Sequence, residues 1–341
     1  MGGPLEIVRQ HGRSAAVALA VALAVTLAVT LGRVAHAQTA ATASRTEVSQ
    51  VQTLTVNVKL VQVNCSAFAK KPPRTVETVT DVSQVRLLED GKPQNVRLRP
   101  AEDLPLTFGI LFDVSGSETG EWDRMKRQTV RFLRATLRPG DRMFILTFAS
   151  QLRMPEPLTP AGESVAKMLD RMDRMQAEYG VEVARRNDVR GGTRLWDAMN
   201  YALQAMSGAQ GRRALVVFTD GDDNASVSDP KAVVRTSQTI GVPFYGVNVY
   251  SAMSLAQSSS VPGKSVVDRS FNTVIEQTGG RSFNAANDAE VADRLQQVAS
   301  ILRSQFVLEY KPADTVAGFH KLRVESLDSS IEIKAKSGVW R

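Results

Sequence analysis

Leu106-Thr107-Phe108-Gly109-Ile110-Leu111-Phe112 runs directly into Asp113-Val114-Ser115-Gly116-Ser117. A short, uninterrupted apolar run of this kind reads as a strand buried on both faces. It ends in one carboxylate and two hydroxyls at alternate positions, which delivers three oxygen ligands to one point. Such oxygens suit a hard divalent cation. Two downstream segments extend the pattern. Thr193 follows Gly191-Gly192 at the start of a helical pattern, and Asp220 ends the run Ala214-Leu215-Val216-Val217-Phe218-Thr219. Each lies at the carboxyl end of a predicted strand or the amino end of a predicted helix, where open α/β sheets place their ligands.

From Leu106 onward strands alternate with helices. The strands are predicted at Leu106–Asp113, Arg142–Phe148, Ala214–Thr219, Pro243–Val249 and Arg281–Asn284. The helical patterns lie at 121–137, 163–175, 193–207, 229–239, 268–278 and 287–303. Pro139-Gly140-Asp141 stops the first helix, and Asp229-Pro230 opens the fourth with a cap and a first-turn proline. This rhythm predicts an α/β fold, a doubly wound and mostly parallel sheet over residues 104–303. Residues 51–100 read instead as strands. Val51 to Val63 alternates, while Val85–Glu89 and Val96–Arg99 flank Asp90-Gly91, a hairpin turn signal. After 304 the β pattern returns at Gln305–Tyr310, His320–Ser326 and Ser330–Ala335. The expectation is one small β unit built from 51–100 and 304–341, with the α/β domain inserted between them.

Asp113-x-Ser115-x-Ser117, the Gly-Gly-Thr turn at Thr193 and Thr219-Asp220-Gly221 together resemble the von Willebrand factor type A (VWFA) domain. The likeness is closer to the VWFA-related proteins common in acidobacteria. It rests also on Leu88-Glu89-Asp90-Gly91-Lys92-Pro93, Gly192-Thr193-Arg194-Leu195-Trp196-Asp197-Ala198 and Ser304-Gln305-Phe306-Val307-Leu308-Glu309-Tyr310, and it extends over residues 50–341. The resemblance implies a Rossmann-like fold carrying a metal-ion-dependent adhesion site (MIDAS). Asp113 would be its anionic anchor, acting on the ion or on its water shell, with Ser115 and Ser117 as hydroxyl ligands. By the same resemblance Thr193 and Asp220 complete the ring, one of them often through water. Mg²⁺ keeps waters readily, with Mn²⁺ or Ca²⁺ as alternatives, and one position can open to an Asp or Glu of a partner protein. In such domains ligand capture is coupled to sliding of the last helix, here Asn287–Arg303. The competing reading makes these residues ordinary turn and capping groups. Three matching segments, each in a suitable setting, favour the metal.

The amino terminus carries Arg9 and Arg13 against Glu6, then an apolar stretch from Ser14 to Gly32, then Ala35-His36-Ala37. That order reads as a signal peptide over 1–37 cleaved before Gln38. An uncleaved membrane anchor is the rival, because the stretch approaches a bilayer-spanning length. Residues 38–50, polar and Ala/Thr/Ser-rich, read as a flexible tether. Either way the bulk of the chain is expected outside the inner membrane, periplasmic or extracellular.

The 341 residues are 43% hydrophobic, enough for two compact units. Cys65 is the only cysteine, which excludes an intramolecular disulfide, and its alternating surroundings read as a buried packing position. The net charge is +7, and three arginines and one glutamate leave with residues 1–37, so the remainder carries +5. The basic residues are scattered along helix faces without the interleaved aromatics of a nucleic-acid groove.

Other motifs fail on their own chemistry. Asp220-Gly221-Asp222-Asp223-Asn224 opens like a calcium loop, yet Ala225 replaces the turn glycine and Lys231 the bidentate glutamate. Asp222, Asp223 and Asn224 are read instead as an acidic rim attracting the cation. Pro262-Gly263-Lys264-Ser265 lacks the first glycine of a phosphate loop, Ser258 standing there. Asp197 either orients a ligand water or packs on the helix surface. Of three histidines only His320 lies beyond the signal region, too few with one cysteine for a usual zinc site. No general base accompanies the hydroxyls, so no enzyme is expected. Two functions stay open: an exported metal-dependent protein-binding (cell adhesion) module, or a structural envelope protein whose metal only stabilises the fold.

Overall fold

The computed structural model describes residues 60–100, 103–115, 119–160, 174, 192–249, 269–285 and 287–341. The signal and tether, the start of the first strand expected at 51–59, the helix expected at 163–175 (apart from residue 174), the Ser-rich loop and Ser117 lie outside these residues.

The α/β part is built on β6 (Leu106–Asp113), α1 (Thr119–Thr136), β7 (Arg142–Phe148), β8 (Leu152–Pro160), α2 (Leu195–Ala205), β9 (Arg212–Thr219), α3 (Pro230–Ile240), β10 (Phe244–Val249), α4 (Arg269–Gln277), β11 (Ser282–Ala285) and α5 (Asp288–Ser304). The sheet order is β11-β10-β9-β6-β7-β8, parallel throughout except for the β7–β8 pair. Every residue of β6 is buried, as a central parallel strand requires. Phe108, Ile110 and Phe112 share a core with Phe132 of α1 and Leu295 and Val298 of α5. Leu111 points the other way, into a core with Leu195 and Met199 of α2 and Phe271 of α4. The period of two along one strand thus builds both faces.

Chain order reverses between β6 and β9, since β7 follows on one side of β6 and β9 lies on the other. A crevice opens at the carboxyl ends of two strands where their connections diverge to opposite faces. Asp113 and Thr219 are the terminal residues of these two strands.

The remaining strands form two further sheets. One holds β14 (Ile331–Ala335), β1 (Val61–Ala69), β12 (Phe306–Tyr310) and β5 (Val96–Arg99), with β2 (Val76–Glu77) beside β1. The other holds β15 (Gly338–Trp340), β13 (Phe319–Ser326), β3 (Val85–Glu89) and β4 (Lys92–Pro93). Val63, Cys65, Leu87, Leu308, Tyr310 and Leu322 fill one core shared by both sheets, so the amino- and carboxy-terminal segments close on each other as a sandwich.

Two details differ from the sequence expectation. The Asp90–Gly91 turn joins β3 to β4, and Val96–Arg99 leaves for the other sheet, where it pairs with β12. Asp90 and Gly91 have φ of 48° and 80°, the positive pair that a tight hairpin turn demands. Pro93 then lacks a ladder donor, which keeps β4 to two residues. The edge strand β8 was not anticipated, because Pro155, Pro157 and Pro160 argue against a strand. An edge position leaves their missing N–H groups harmless.

Sandwich and α/β part meet through polar side chains that bond to helix-end carbonyls. Asn64 Nδ2 donates to the Gly241 carbonyl at 2.8 Å and Lys336 Nζ to the Gln238 carbonyl at 3.0 Å. Both bonds serve the end of α3, where helix carbonyls lack intrahelical partners. Burial, and then the nearby Arg213, bring Lys336 down to about 7. Among the described residues no helix is long and apolar enough to cross a membrane.

Candidate metal centre

Asp113 is 8% exposed at the end of β6. Its Oδ1 accepts from the Ser115 amide at 3.0 Å and from the Ser115 hydroxyl at 2.5 Å, and its Oδ2 accepts from Thr219 Oγ1 at 2.7 Å. Thr193 Oγ1 donates to Ser115 Oγ at 2.7 Å. Residues 78 positions apart in sequence are therefore in direct contact through their hydroxyls. Asp220 follows Thr219 on the next strand and lies close enough that its charge raises the Asp113 pKa. Of the five residues singled out from sequence, the structure brings Asp113, Ser115 and Thr193 together with Asp220 beside them. Ser117 lies outside the described residues. Thr219 joins the group without having been anticipated. The signal was available, since it is the last residue of a buried strand next to Asp113's own.

Burial pushes Asp113 up to about 6, against the hydrogen bonds from Ser115 and Thr219, and repulsion from Asp220 adds to the rise. Asp220 is also raised, first by the partial burial of its carboxyl, with the Asp222 charge adding to the rise and the Asp222 amide opposing it. Neither carboxylate has a Lys, Arg or His ion-pair partner among the described residues. Two acids with shifts in this direction and hydroxyl neighbours form an all-oxygen donor set whose negative charge no cation among the described residues balances. That is the chemistry a hard divalent cation fits.

The loop after β9 holds Thr193 in place. Asn224 Oδ1 accepts from the Thr193 amide at 2.8 Å, and the amides of Asn224 and Ala225 both donate to the Thr193 carbonyl at 3.1 Å. Asp223 Oδ1 accepts from the Leu195 amide at 2.8 Å and from Ser226 Oγ. Arg194, at the N-cap of α2, offers no side-chain cap, so Asp223 satisfies the helix's first amides from another segment. Asp197 accepts from the Val227 and Ser228 amides at 3.1 and 2.8 Å and pairs with Arg194. Gly192 permits the close approach, since a Cβ there would lie 2.7 Å from Ala225 Cβ. Beside the acidic-rim reading of Asp223 and Asn224 stands a scaffold role: Oδ1 of each accepts from a backbone amide. For Asp197 the packing alternative is the one observed. A helix start without its own Ser, Thr, Asp or Asn cap was the clue that a cap must come from elsewhere.

A second acidic cluster lies in the sandwich. Ligand atoms of Glu89, Asp314 and His320 all fall within 4.8 Å of one another. Here the charge is already met: Arg341 Nη2 is 2.5 Å from Glu89 Oε1 and 3.4 Å from Asp314 Oδ1. His320 Nδ1 lies 2.8 Å from Asp90 Oδ2 and Nε2 2.9 Å from the Val316 carbonyl. Burial disfavours the charged ring, yet these bonds and the Asp90 charge raise its pKa.

Several solved structures are similar to this chain. The human COPII-coat protein Sec24c is 13% identical with a TM-score of 0.44, covering 70% of this chain and 44% of its own. The von Willebrand factor type A protein from Catenulispora acidiphila is 9% identical with a TM-score of 0.44, covering 84% and 75%. Proximal thread matrix protein 1 from the mussel byssus, in a form with a zinc-occupied MIDAS motif, is 13% identical with a TM-score of 0.45, covering 64% and 50%. The chain spans about half the length of the first structures it matches, 44% and 51%. No curated protein sequence matches it. Residues 109–222 match the family model for the von Willebrand factor type A domain, the segment that contains Asp113, Ser115, Thr193 and Asp220; this chain contains a von Willebrand factor type A domain.

Proposed function

We propose that this protein is an exported module that binds a partner protein through a divalent cation held at the carboxyl ends of β6 and β9. The observation that carries the reading is the buried Asp113 carboxylate, in contact with Ser115 and Thr219, beside Asp220 and without a cationic partner among the described residues. Asp113 would anchor the ion, Ser115 and Thr193 would offer hydroxyl oxygens, and Asp220 a second charge, with Ser117 added by resemblance. Mg²⁺ is the favoured ion, Mn²⁺ or Ca²⁺ the substitutes. Once bound, the cation supplies an open coordination position for an Asp or Glu of the partner.

Binding rather than catalysis is supported by the use of His320, whose two ring nitrogens are engaged with Asp90 and the Val316 carbonyl. Export rests on the residues 1–37 pattern, and membrane contact would follow only if that segment stays uncleaved. Nucleic acid has no place in this reading.

A second reading makes the cation purely structural. It is favoured by the dense bonding of Thr193 to Asn224 and Ala225, which ties two loops together around the same centre. Substituting Thr193→Ala separates the two. Capture of exported proteins from the native source, lost with a chelator and lost in Thr193→Ala while the melting temperature holds, supports partner binding. A fall in melting temperature with capture unchanged supports the structural role.

A further inference from the structure

A cavity of about 280 Å³ lies away from the metal centre, where the sandwich meets the edge of the α/β sheet. Its walls come from β1, β14, α4 and the approach to β11. Arg281 dominates it. The guanidinium stands 5.1 Å from the ring centroid of Phe68 and 5.4 Å from that of Phe283, so two aromatic side chains hold it in place. Among the described residues it has neither a carboxylate partner nor a hydrogen-bond acceptor. Arg74 lines the same cavity and also lacks an ion pair among the described residues. Burial lowers the Arg281 pKa, the charges of Arg74 and Arg294 add to the fall, and the Glu332 carboxylate, beyond ion-pair distance, opposes it.

The surrounding polar groups are equally unspent. Ser282 Oγ and Asn272 Oδ1 are buried without hydrogen-bond partners, and both residues line the cavity. A hydroxyl can rotate to donate, and an amide can turn to present its NH₂. Lys334 contributes a third cation, tied at 3.0 Å to Glu332, while Glu276 also lines the wall. Three cations therefore face two acids, and only one of the cations is paired. A guanidinium presents a planar fork of donors that matches carboxylate and phosphate oxygens. Arg281 is half-buried and Arg74 exposed, so water meets these donors in the free protein and an anion in the cavity would replace it with charged acceptors.

We propose that this cavity is a binding site for the oxyanion of a small molecule, a carboxylate or a phosphate, with Arg281 as the principal contact and Arg74 as a supporting donor. The volume limits the occupant to a small group rather than a folded partner. The site is independent of the metal centre and of the partner-binding reading.

The test is calorimetric and NMR titration of the full protein with sodium phosphate and, separately, sodium acetate, at constant ionic strength against chloride and without divalent cations. Saturable binding of either anion is expected, weakened at least tenfold in Arg281→Gln and less in Arg74→Gln, with Arg281→Lys intermediate. The phosphate and acetate arms decide which oxyanion is preferred. Circular dichroism and an unchanged Mg²⁺ response show that Arg281→Gln is folded. Binding of neither anion above chloride overturns the proposal, and so does an Arg281→Gln protein that is folded and titrates like the wild type.

Discussion

Two groups of acids in this molecule have opposite chemistry. In the sandwich, Glu89 and Asp314 face the Arg341 guanidinium, and Asp90 faces His320. At the end of β6, Asp113 faces the hydroxyls of Ser115 and Thr219, with the Asp220 charge nearby. The first group brings its own positive charge, and the second leaves that charge to be supplied. Clustered carboxylates are common, and proximity alone would have nominated both sites. Charge balance distinguishes them, because an internal cation at the first already satisfies what a metal would supply.

The largest effect should come from breaking the self-contained group. Glu89 and Arg341 side chains are 5% and 9% exposed, so Glu89→Ala leaves the guanidinium only the more distant Asp314 and takes the acceptor from Tyr310 Oη, and should cost about 3 kcal/mol of stability. Chemical denaturation measures that loss, and the Mg²⁺ response should remain. Equal stability in the variant would show that the sandwich pair is not a buried partnership.

At the metal centre the signs reverse. Without a cation, Asp113→Asn should leave stability unchanged or raise it at pH 7. Its pKa rises on folding from 3.8 to about 6, so the ionised form opposes folding there. The cation response should vanish in the same variant. In the wild type that response reaches about 2.7 kcal/mol at a hundred times the dissociation constant, read as a shift in denaturation midpoint. Marked destabilisation of the cation-free Asp113→Asn protein would contradict the unbalanced-charge account.

The same sign sets a pH dependence. A carboxyl with a raised folded pKa contributes stability that is complete below its unfolded pKa of 3.8 and is lost as pH rises through about 6. Cation-free protein should therefore gain stability from this group as pH falls through that window. The additional stabilisation by Mg²⁺ should shrink in parallel as the proton displaces the ion. Melting curves at pH 5 and pH 7.5, with and without Mg²⁺, check both trends. A Mg²⁺ shift as large at pH 5 as at pH 7.5 would remove Asp113 from the site.

The smallest effect concerns the loop that holds Thr193. Asp223→Ala removes the acceptor for the Leu195 amide and should cost about 1 kcal/mol, the usual worth of a helix cap. Cation affinity should fall only modestly. A collapse of cation binding would mean Asp223 belongs to the site itself rather than to its scaffold.

Much of the α/β fold was legible because β6 is an almost wholly apolar run that ends in Asp113, which identifies both a central strand and its functional end. The helices were found by period and by caps such as Asp229-Pro230, whose Asp229 side chain accepts from the Ala232 amide at 2.7 Å. What escaped was set by tertiary contacts. Three prolines hid β8, because only an edge position makes them tolerable. Val96–Arg99 looked like the return arm of a hairpin, yet its partner β12 lies more than 200 residues onward. Asp223 and Asn224 looked like surface charge and polarity until the uncapped start of α2 and the Thr193 backbone were placed against them. Local pattern names the elements; which acid meets which amide depends on the loops that topology brings together.

The most direct measurement is calorimetric titration of Mg²⁺ into the wild type, Asp113→Asn and Glu89→Gln at pH 7.5. Saturable binding at a single site is expected in the wild type and in Glu89→Gln, with none in Asp113→Asn. Binding that survives Asp113→Asn, or that disappears in folded Glu89→Gln, would contradict the assignment of the cation to the crevice between β6 and β9.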